Sequence, residues 1–162
     1  MKFRFYDMII DNNIGLKLDY FTFGIAGDTL VPVYRYKIID QEHNVEVGEC
    51  ELRTSHVPET YYGGNIGYTV YKEFRGHHFA EAACRVLFEI ALKYGMGHVI
   101  IACNPENIAS DKTCQNLGAE FIETMELPVN CKSRKVYGEQ YHKIYRINLL
   151  GGVDNGSCSI FE

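Results

Sequence analysis

A basic residue and a glycine precede an amphipathic segment, and this pattern could bind an anion. Residues 75–80 read Arg-Gly-His-His-Phe-Ala. Apolar residues then recur at steps of three and four, which predicts a helix with one buried face: Phe79, Ala82, Ala83, Val86, Leu87, Ile90, Ala91 and Tyr94. Gly95 ends this helix. Because the first N–H groups of a helix are unpaired and its dipole is positive there, we expect a phosphate group to bind at this end.

A second motif follows at residues 104–110, which read Asn-Pro-Glu-Asn-Ile-Ala-Ser, with Leu-Gly-Ala at 117–119. With Arg75, His78 and Ala80, it resembles the GNAT superfamily of N-acetyltransferases. The acetyl-CoA motif of that family runs Arg or Gln, two residues of any kind, Gly, one more, then Gly or Ala. His78 departs from it by replacing the middle Gly. The resemblance covers roughly residues 34–149 and is closest to the ribosomal-protein N-terminal acetyltransferase branches.

The resemblance implies acetyl-CoA as a co-substrate and assigns residues to its binding. Amides of the first helical turn would hold the pyrophosphate, the strand before the helix would pair with pantetheine, and the second motif would contact pantetheine or the nearby phosphates. The implied cofactor-binding residues are Tyr68, Val70, Arg75, Gly76, His77, His78, Phe79, Ala80, Asn107 and Ser110. We expect no metal, because adjacent histidine side chains point apart and no further ligand stands at suitable spacing.

The catalytic acid and base are less evident in the sequence. Where many GNAT enzymes carry a tyrosine acid this chain has Cys114, whose apolar helical position also fits a core residue. Where some relatives hold a glutamate base it has Gly64. Glu51, on the neighbouring predicted strand, is our preferred base. The other candidates are Glu49, His56, Tyr141 and His142.

The elements that position these residues follow from hydrophobic patterning. Strands are predicted at 14–23, 31–39, 45–53, 66–71, 99–103, 121–127 and 144–149, with helices at 79–94 and 105–117. Segments 54–65 and 128–142 are predicted loops, and Ile108, Cys114 and Leu117 are expected to face inward. This order matches an α/β GNAT fold with a mixed central sheet: an antiparallel N-terminal meander, a βαβ acetyl-CoA unit and a C-terminal antiparallel hairpin. We expect one domain at 1–150 and a flexible tail at 151–162.

Composition limits the class of partner. The net charge of -5 argues against a nucleic-acid-binding surface, and no apolar stretch is long enough for a signal peptide or a membrane span. The six cysteines form no Cys-x-x-Cys pair, as in a reduced cytoplasmic protein. We expect a cytoplasmic protein that acts on a small-molecule amine or a protein N-terminal amine, with a homodimer left open.

Together these observations predict an N-acetyltransferase. It would move acetyl from acetyl-CoA to a primary amine by direct attack in a ternary complex. The alternative is a non-catalytic acyl-CoA binding or sensing module, because His78 and Cys114 both depart from the family pattern.

Overall fold

A computed structural model of the chain describes residues 8–150 except 12 and 27. The strands are β1 Met8–Asp11, β2 Ile14–Ala26, β3 Thr29–Asp40, β4 Val45–Arg53, β5 Ile66–Val70, β6 His98–Cys103, β7 Glu120–Glu126 and β8 Tyr141–Asn148. The helices are α1 Pro58–Gly63, α2 Phe79–Lys93, α3 Ile108–Asn116 and α4 Lys132–Tyr137. A short 3-10 turn, Lys72–Phe74, connects β5 to the segment before α2.

The eight strands form one sheet in the order β1-β2-β3-β4-β5-β6-β8-β7. Neighbours pair antiparallel except β5 and β6, which are parallel and joined by α2. The predicted meander, βαβ unit and closing antiparallel pair are therefore confirmed. The proposed tail at 151–162 lies outside the described residues.

Helix α2 covers one face of the sheet, as its periodicity predicts. Its buried residues are Ala83, Cys84, Val86, Leu87, Ile90 and Ala91. They pack in a core with inward residues of the meander, among them Leu16, Tyr36 and Ile38, which are fully buried. The φ of +81° at Gly95 allows the chain to turn after the helix.

The structure corrects three details of the sequence prediction. The loops predicted at 54–65 and 128–142 contain α1 and α4, and β8 begins within the second one, at Tyr141. Each of these helices has six residues, too few to show a helical period. The second predicted helix, α3, begins at Ile108 rather than 105, because Asn104 Oδ1 accepts a hydrogen bond from the Glu106 amide in a turn. Ile108 is 66% exposed instead of inward.

The parallel strands β5 and β6 separate after a single residue pair. Ile66 lies opposite Ile101, and no further pair joins these two strands in the described residues. Beyond this point the β5 backbone is hydrogen-bonded to β4 on its other side. A gap therefore opens in the middle of the sheet, next to the N-termini of α2 and α3. None of the described helices has the length and apolar composition of a membrane span.

Two histidines stack beside this sheet and should make stability depend on pH. The rings of His56 and His98 lie 4.1 Å apart at 15°. Burial lowers the pKa of each, and the Arg146 charge lowers both further. A lowered folded-state pKa means that the unfolded chain binds more protons, so this contribution to stability is complete above about pH 6.5 and is lost as the pH falls below it.

We expect His56→Phe to reduce this acid sensitivity, because a phenyl ring preserves stacking without titrating. Melting temperatures measured from pH 7.5 to 5 should fall less in the variant than in the wild type. Identical profiles would show that His56 does not contribute to the acid sensitivity.

Candidate active site

Two adjacent cavities lie beside the gap in the sheet. The larger of the two, of about 490 Å³, lies between β5 and the N-termini of α2 and α3. Its lining residues are Tyr68, Thr69, Val70, Phe74, Arg75, Gly76, His78, Phe79, Ala80, Glu81, Asn107, Ala109, Ser110, Lys112, Thr113 and Asn116. Every residue that the resemblance implied for cofactor binding is among them except His77. The His77 ring is exposed and contacts the Phe79 ring at 5.9 Å. The two sequence motifs, about thirty residues apart, thus meet in one cavity.

The N-terminus of α2 opens into this cavity with its amides available. The first helical hydrogen bond runs from the Ala82 amide to the His78 carbonyl at 3.0 Å, and no side chain caps this end in the described residues. The Phe79, Ala80 and Glu81 amides precede that bond, so they lack helical partners. Gly76 and His78 both adopt left-handed conformations, with φ of +85° and +62°. Such a turn before a helix presents successive N–H groups to an anion.

Positive side chains favour an anion in the same cavity. Arg75 and Lys112 both line it, and Arg75 Nε donates to the Val70 carbonyl at 3.1 Å, which fixes the guanidinium beside the end of β5. Glu81 also lines the cavity, but Arg85 pairs with its carboxylate at 3.1 Å. The local field therefore suits phosphate even though the whole chain is acidic.

Helix α3 closes the other side of the gap. Asn107 Oδ1 accepts a hydrogen bond from the Ser110 amide at 3.1 Å, so Asn107 caps this helix. The Ser110 hydroxyl hydrogen-bonds the Tyr68 hydroxyl at 2.7 Å and so links α3 to β5. Burial raises the pKa of Tyr68 well above its usual value, so its phenol stays protonated.

A second, smaller cavity of about 230 Å³ lies next to the first and shares Tyr68, Asn107 and Ser110 with it. Its other lining residues are Arg53, Gly63, Ile66, Gly67, Ile101, Ala102, Cys103, Asn104, Glu139 and His142. The end of β4, the start of β5, the end of β6 and the start of β8 therefore meet here. A thioester held in the gap between β5 and β6 would lie within reach of this cavity.

Glu139 and His142 form a hydrogen-bonded network in the second cavity. Glu139 Oε2 lies 2.9 Å from His142 Nε2, and its Oε1 accepts a bond from Asn104 Nδ2 at 3.3 Å. His142 Nδ1 donates to the Tyr62 carbonyl at 2.7 Å. His142 was among the candidates from sequence, whereas Glu139 lies in a predicted loop and has no motif that would have singled it out.

Cys114 packs in the core and lines neither cavity in the described residues. It is fully buried, and its thiol donates a hydrogen bond to Cys103, which together with burial raises the pKa of Cys114. The same bond lowers the pKa of Cys103, which lines the second cavity. This geometry favours a packing role for Cys114. Sequence reasoning placed Cys103 only as a buried strand residue.

The Glu51 carboxylate is already engaged by two arginines. It pairs with Arg53 and lies 3.5 Å from Arg35, with its side chain 15% exposed. Arg53 also donates to the Gly63 and Gly64 carbonyls at 3.3 and 2.8 Å. Both Glu51 oxygens pair with arginines, and Glu51 lines neither cavity in the described part of the chain, so the geometry gives no support to a role as base.

The structure also shows where the other residues considered as a base from the sequence lie. Glu49 pairs with Arg35 and Lys37, His56 stacks on His98, and Tyr141 is 47% exposed at the start of β8. None of these three lines either cavity in the described part of the chain. Among the candidates, only His142 does.

Residues 17–120 match the family model described as "Acetyltransferase (GNAT) domain". This match covers well over half of the chain, so the chain belongs to the GNAT acetyltransferase family. The resemblance inferred from residues 75–80 and 104–119 is confirmed. No curated protein matches the sequence significantly.

Solved structures of GNAT acetyltransferases share the fold. A Bacillus anthracis acetyltransferase is 19% identical with a TM-score of 0.55, over 71% of this chain and 66% of its own. RimL, a ribosomal L7/L12 alpha-N-protein acetyltransferase solved with coenzyme A, is 18% identical with a TM-score of 0.56, over 73% and 63%. The microcin C7 self-immunity acetyltransferase MccE, solved with acetyl-CoA and AMP, is 18% identical with a TM-score of 0.55, over 72% and 61%. This chain therefore spans less than two thirds of each neighbour's length.

The left-handed conformation of His78 leads to a prediction about stability. A non-glycine residue in this region is strained by about 1–2 kcal/mol, whereas glycine adopts it freely at some entropic cost. The His78 side chain is 76% exposed and lies 3.5 Å from Glu81, so little packing is lost on its removal. We expect His78→Gly to raise stability by about 0.5–1 kcal/mol, or the melting temperature by about 1–4 °C.

Thermal unfolding should be compared with that of His77→Gly. His77 is also exposed but has no positive φ, so its replacement should leave stability unchanged or lower it. A loss of stability in His78→Gly as large as in His77→Gly would contradict the strain argument.

Proposed function

We propose that the chain is an acetyl-CoA-dependent N-acetyltransferase that moves acetyl to a primary amine by direct attack in a ternary complex. The observation that carries this proposal is the anion-binding end of α2, which opens into a 490 Å³ cavity that adjoins a second, polar one across the β5–β6 gap. One cavity would hold the donor and the other the acceptor.

The donor, acetyl-CoA, would lie along the larger cavity. The pyrophosphate lies on the free amides of α2 beside Arg75, and pantetheine runs along the part of β5 that has no β6 partner, next to Tyr68 and Val70. The acetyl group then points toward the second cavity. An amide of β5 donates to the thioester oxygen as negative charge develops there.

The reaction is a single displacement. A neutral amine attacks the carbonyl carbon, the C–N bond forms, the C–S bond breaks, and the CoA sulfur takes a proton from the nitrogen. The structural neighbours named for ribosomal proteins support a protein N-terminal amine as one class of acceptor. A small-molecule amine is the other.

An acceptor panel tests the proposal. CoA thiol release is followed with acetyl-CoA and a set of small primary amines, polyamines and short peptides with free N-termini, while calorimetry measures acetyl-CoA affinity. We expect binding of acetyl-CoA and turnover with at least one amine. Absence of binding would overturn the proposal, whereas binding without turnover would favour the non-catalytic acyl-CoA module.

A further inference from the structure

Glu139 is held at the second cavity by two side chains from different parts of the chain. Asn104, after β6, donates to one carboxylate oxygen, and His142, on β8, donates to the other. His142 is 6% exposed and is itself fixed by the Tyr62 carbonyl of α1. The carboxylate thus has one defined position although its side chain is 24% exposed and open to the cavity.

Both ring nitrogens of His142 are engaged by its two neighbours. One faces the Tyr62 carbonyl at 2.7 Å and the other faces Glu139 Oε2 at 2.9 Å, so the ring has one fixed orientation. Each Glu139 oxygen accepts one bond from the protein and can accept another from a ligand. A partly exposed carboxylate with unfilled acceptor positions beside a cavity is suited to an ammonium group.

Other titratable groups at this cavity already have partners within the protein. Arg53 donates to the Gly63 and Gly64 carbonyls and pairs with Glu51. The Cys103 sulfur accepts a hydrogen bond from the Cys114 thiol. Lys143, next to His142 on β8, pairs with Asp111 at 3.2 Å. Among the described residues lining the cavity, Glu139 alone offers a carboxylate.

The segment that carries Glu139 is braced at both ends. Arg134 Nη1 donates to the Leu127 carbonyl at 2.7 Å, and the Leu127 amide donates to the Gln140 carbonyl at 2.8 Å. The Glu139 amide bonds the Ser133 carbonyl at 3.3 Å. These bonds fix the backbone of the loop, which sequence analysis had treated as irregular.

We propose that Glu139 binds the acceptor ammonium and removes its proton, and that His142 and Asn104 are its positioning residues. This inference rests on the proposed function. One N–H proton passes from R-NH3+ to the Glu139 carboxylate and then to water, the neutral amine attacks the thioester, and the departing sulfur takes the next nitrogen proton. The site therefore selects acceptors that arrive as cations.

The test compares Glu139→Gln with the wild type on the best acceptor of the amine panel. At pH 7 we expect kcat/KM to fall at least ~100-fold, within the usual range for loss of a general base. The defect should shrink to about tenfold or less by pH 9.5, because the amine then loses its proton to solvent. Acetyl-CoA affinity by calorimetry should stay unchanged.

His142→Gln serves as the second variant and Glu120→Gln as the control. Glutamine can keep a donor to Glu139 but cannot hold both partners as the ring does, so the carboxylate is positioned less firmly and the acceptor KM should rise about tenfold with a smaller change in kcat. Glu120 is exposed on the edge strand β7 and its variant should match the wild type.

A Glu139→Gln rate within threefold of the wild type, or a defect that does not change with pH, would overturn this inference while leaving acetyl transfer intact. A variant that no longer binds acetyl-CoA would show a structural role for Glu139 and would overturn it as well. A wild type that turns over no amine would overturn the proposed function and this inference together.

Discussion

Asn65→Ala is expected to destabilise the protein by about 2–4 kcal/mol, the largest effect on stability among the substitutions considered. Asn65 is fully buried between β4 and β5. Its Nδ2 donates to the Arg53 carbonyl at 3.1 Å and to the Ser55 carbonyl at 2.9 Å, and its Oδ1 accepts from the Ile100 amide at 2.8 Å. One side chain thus connects β4, the following loop and β6.

The cost arises from the backbone groups that alanine would leave unpaired. Ser55 keeps a bond from Thr60, but the Ile100 amide and the Arg53 carbonyl each lose this partner. Each buried unpaired group costs about 1–3 kcal/mol. Because Asn65 sits where β5 and β6 meet before separating, we also expect weaker acetyl-CoA binding in the variant.

Urea unfolding of Asn65→Ala and of a matched control, Asn148→Ala, measures this effect. Asn148 is exposed at the end of β8, where it accepts a bond from Arg146 at 3.0 Å, so its loss should cost less than about 0.5 kcal/mol. If Asn65→Ala unfolds at the same urea concentration as the wild type, water or a shifted backbone replaces the side chain.

Much of the fold could be predicted because its main elements carry strong periodic signals. The β4 bounds agree exactly with the prediction at 45–53, and α2 follows its 3.6-residue pattern from Phe79. The lining of the larger cavity could also be predicted, because its residues lie in two local motifs that the helix N-termini bring together.

The lining of the second cavity could not be predicted in the same way. Glu139 lies in a segment whose short helix α4 has no visible period, and its partners Asn104 and His142 come from separate elements. The sequence favoured Glu51 because its strand is adjacent, but the neighbouring arginines that engage it depend on side-chain positions across the sheet. Such pairings are long-range and leave no local pattern.

Ala80→Glu is expected to weaken acetyl-CoA binding about 30- to 100-fold without loss of stability. Ala80 is the second residue of α2 and lines the larger cavity. A carboxylate there would lie beside the free amides and repel the incoming phosphates, at a cost of about 2–3 kcal/mol for charges a few ångströms apart near a protein surface. The same charge suits the helix dipole and should stabilise the folded chain by a few tenths of a kcal/mol.

The opposite signs of these two effects make the result specific to the anion site. Calorimetry with acetyl-CoA and thermal unfolding should be measured for Ala80→Glu and for Ala80→Gln, which has nearly the same size and no charge. The glutamine variant should bind within about fivefold of the wild type, and the glutamate variant should regain affinity partly at high salt, because ions screen the repulsion. Equal losses in both variants would mean that the side chain blocks the cavity by its volume, and full affinity in both would place the phosphates elsewhere.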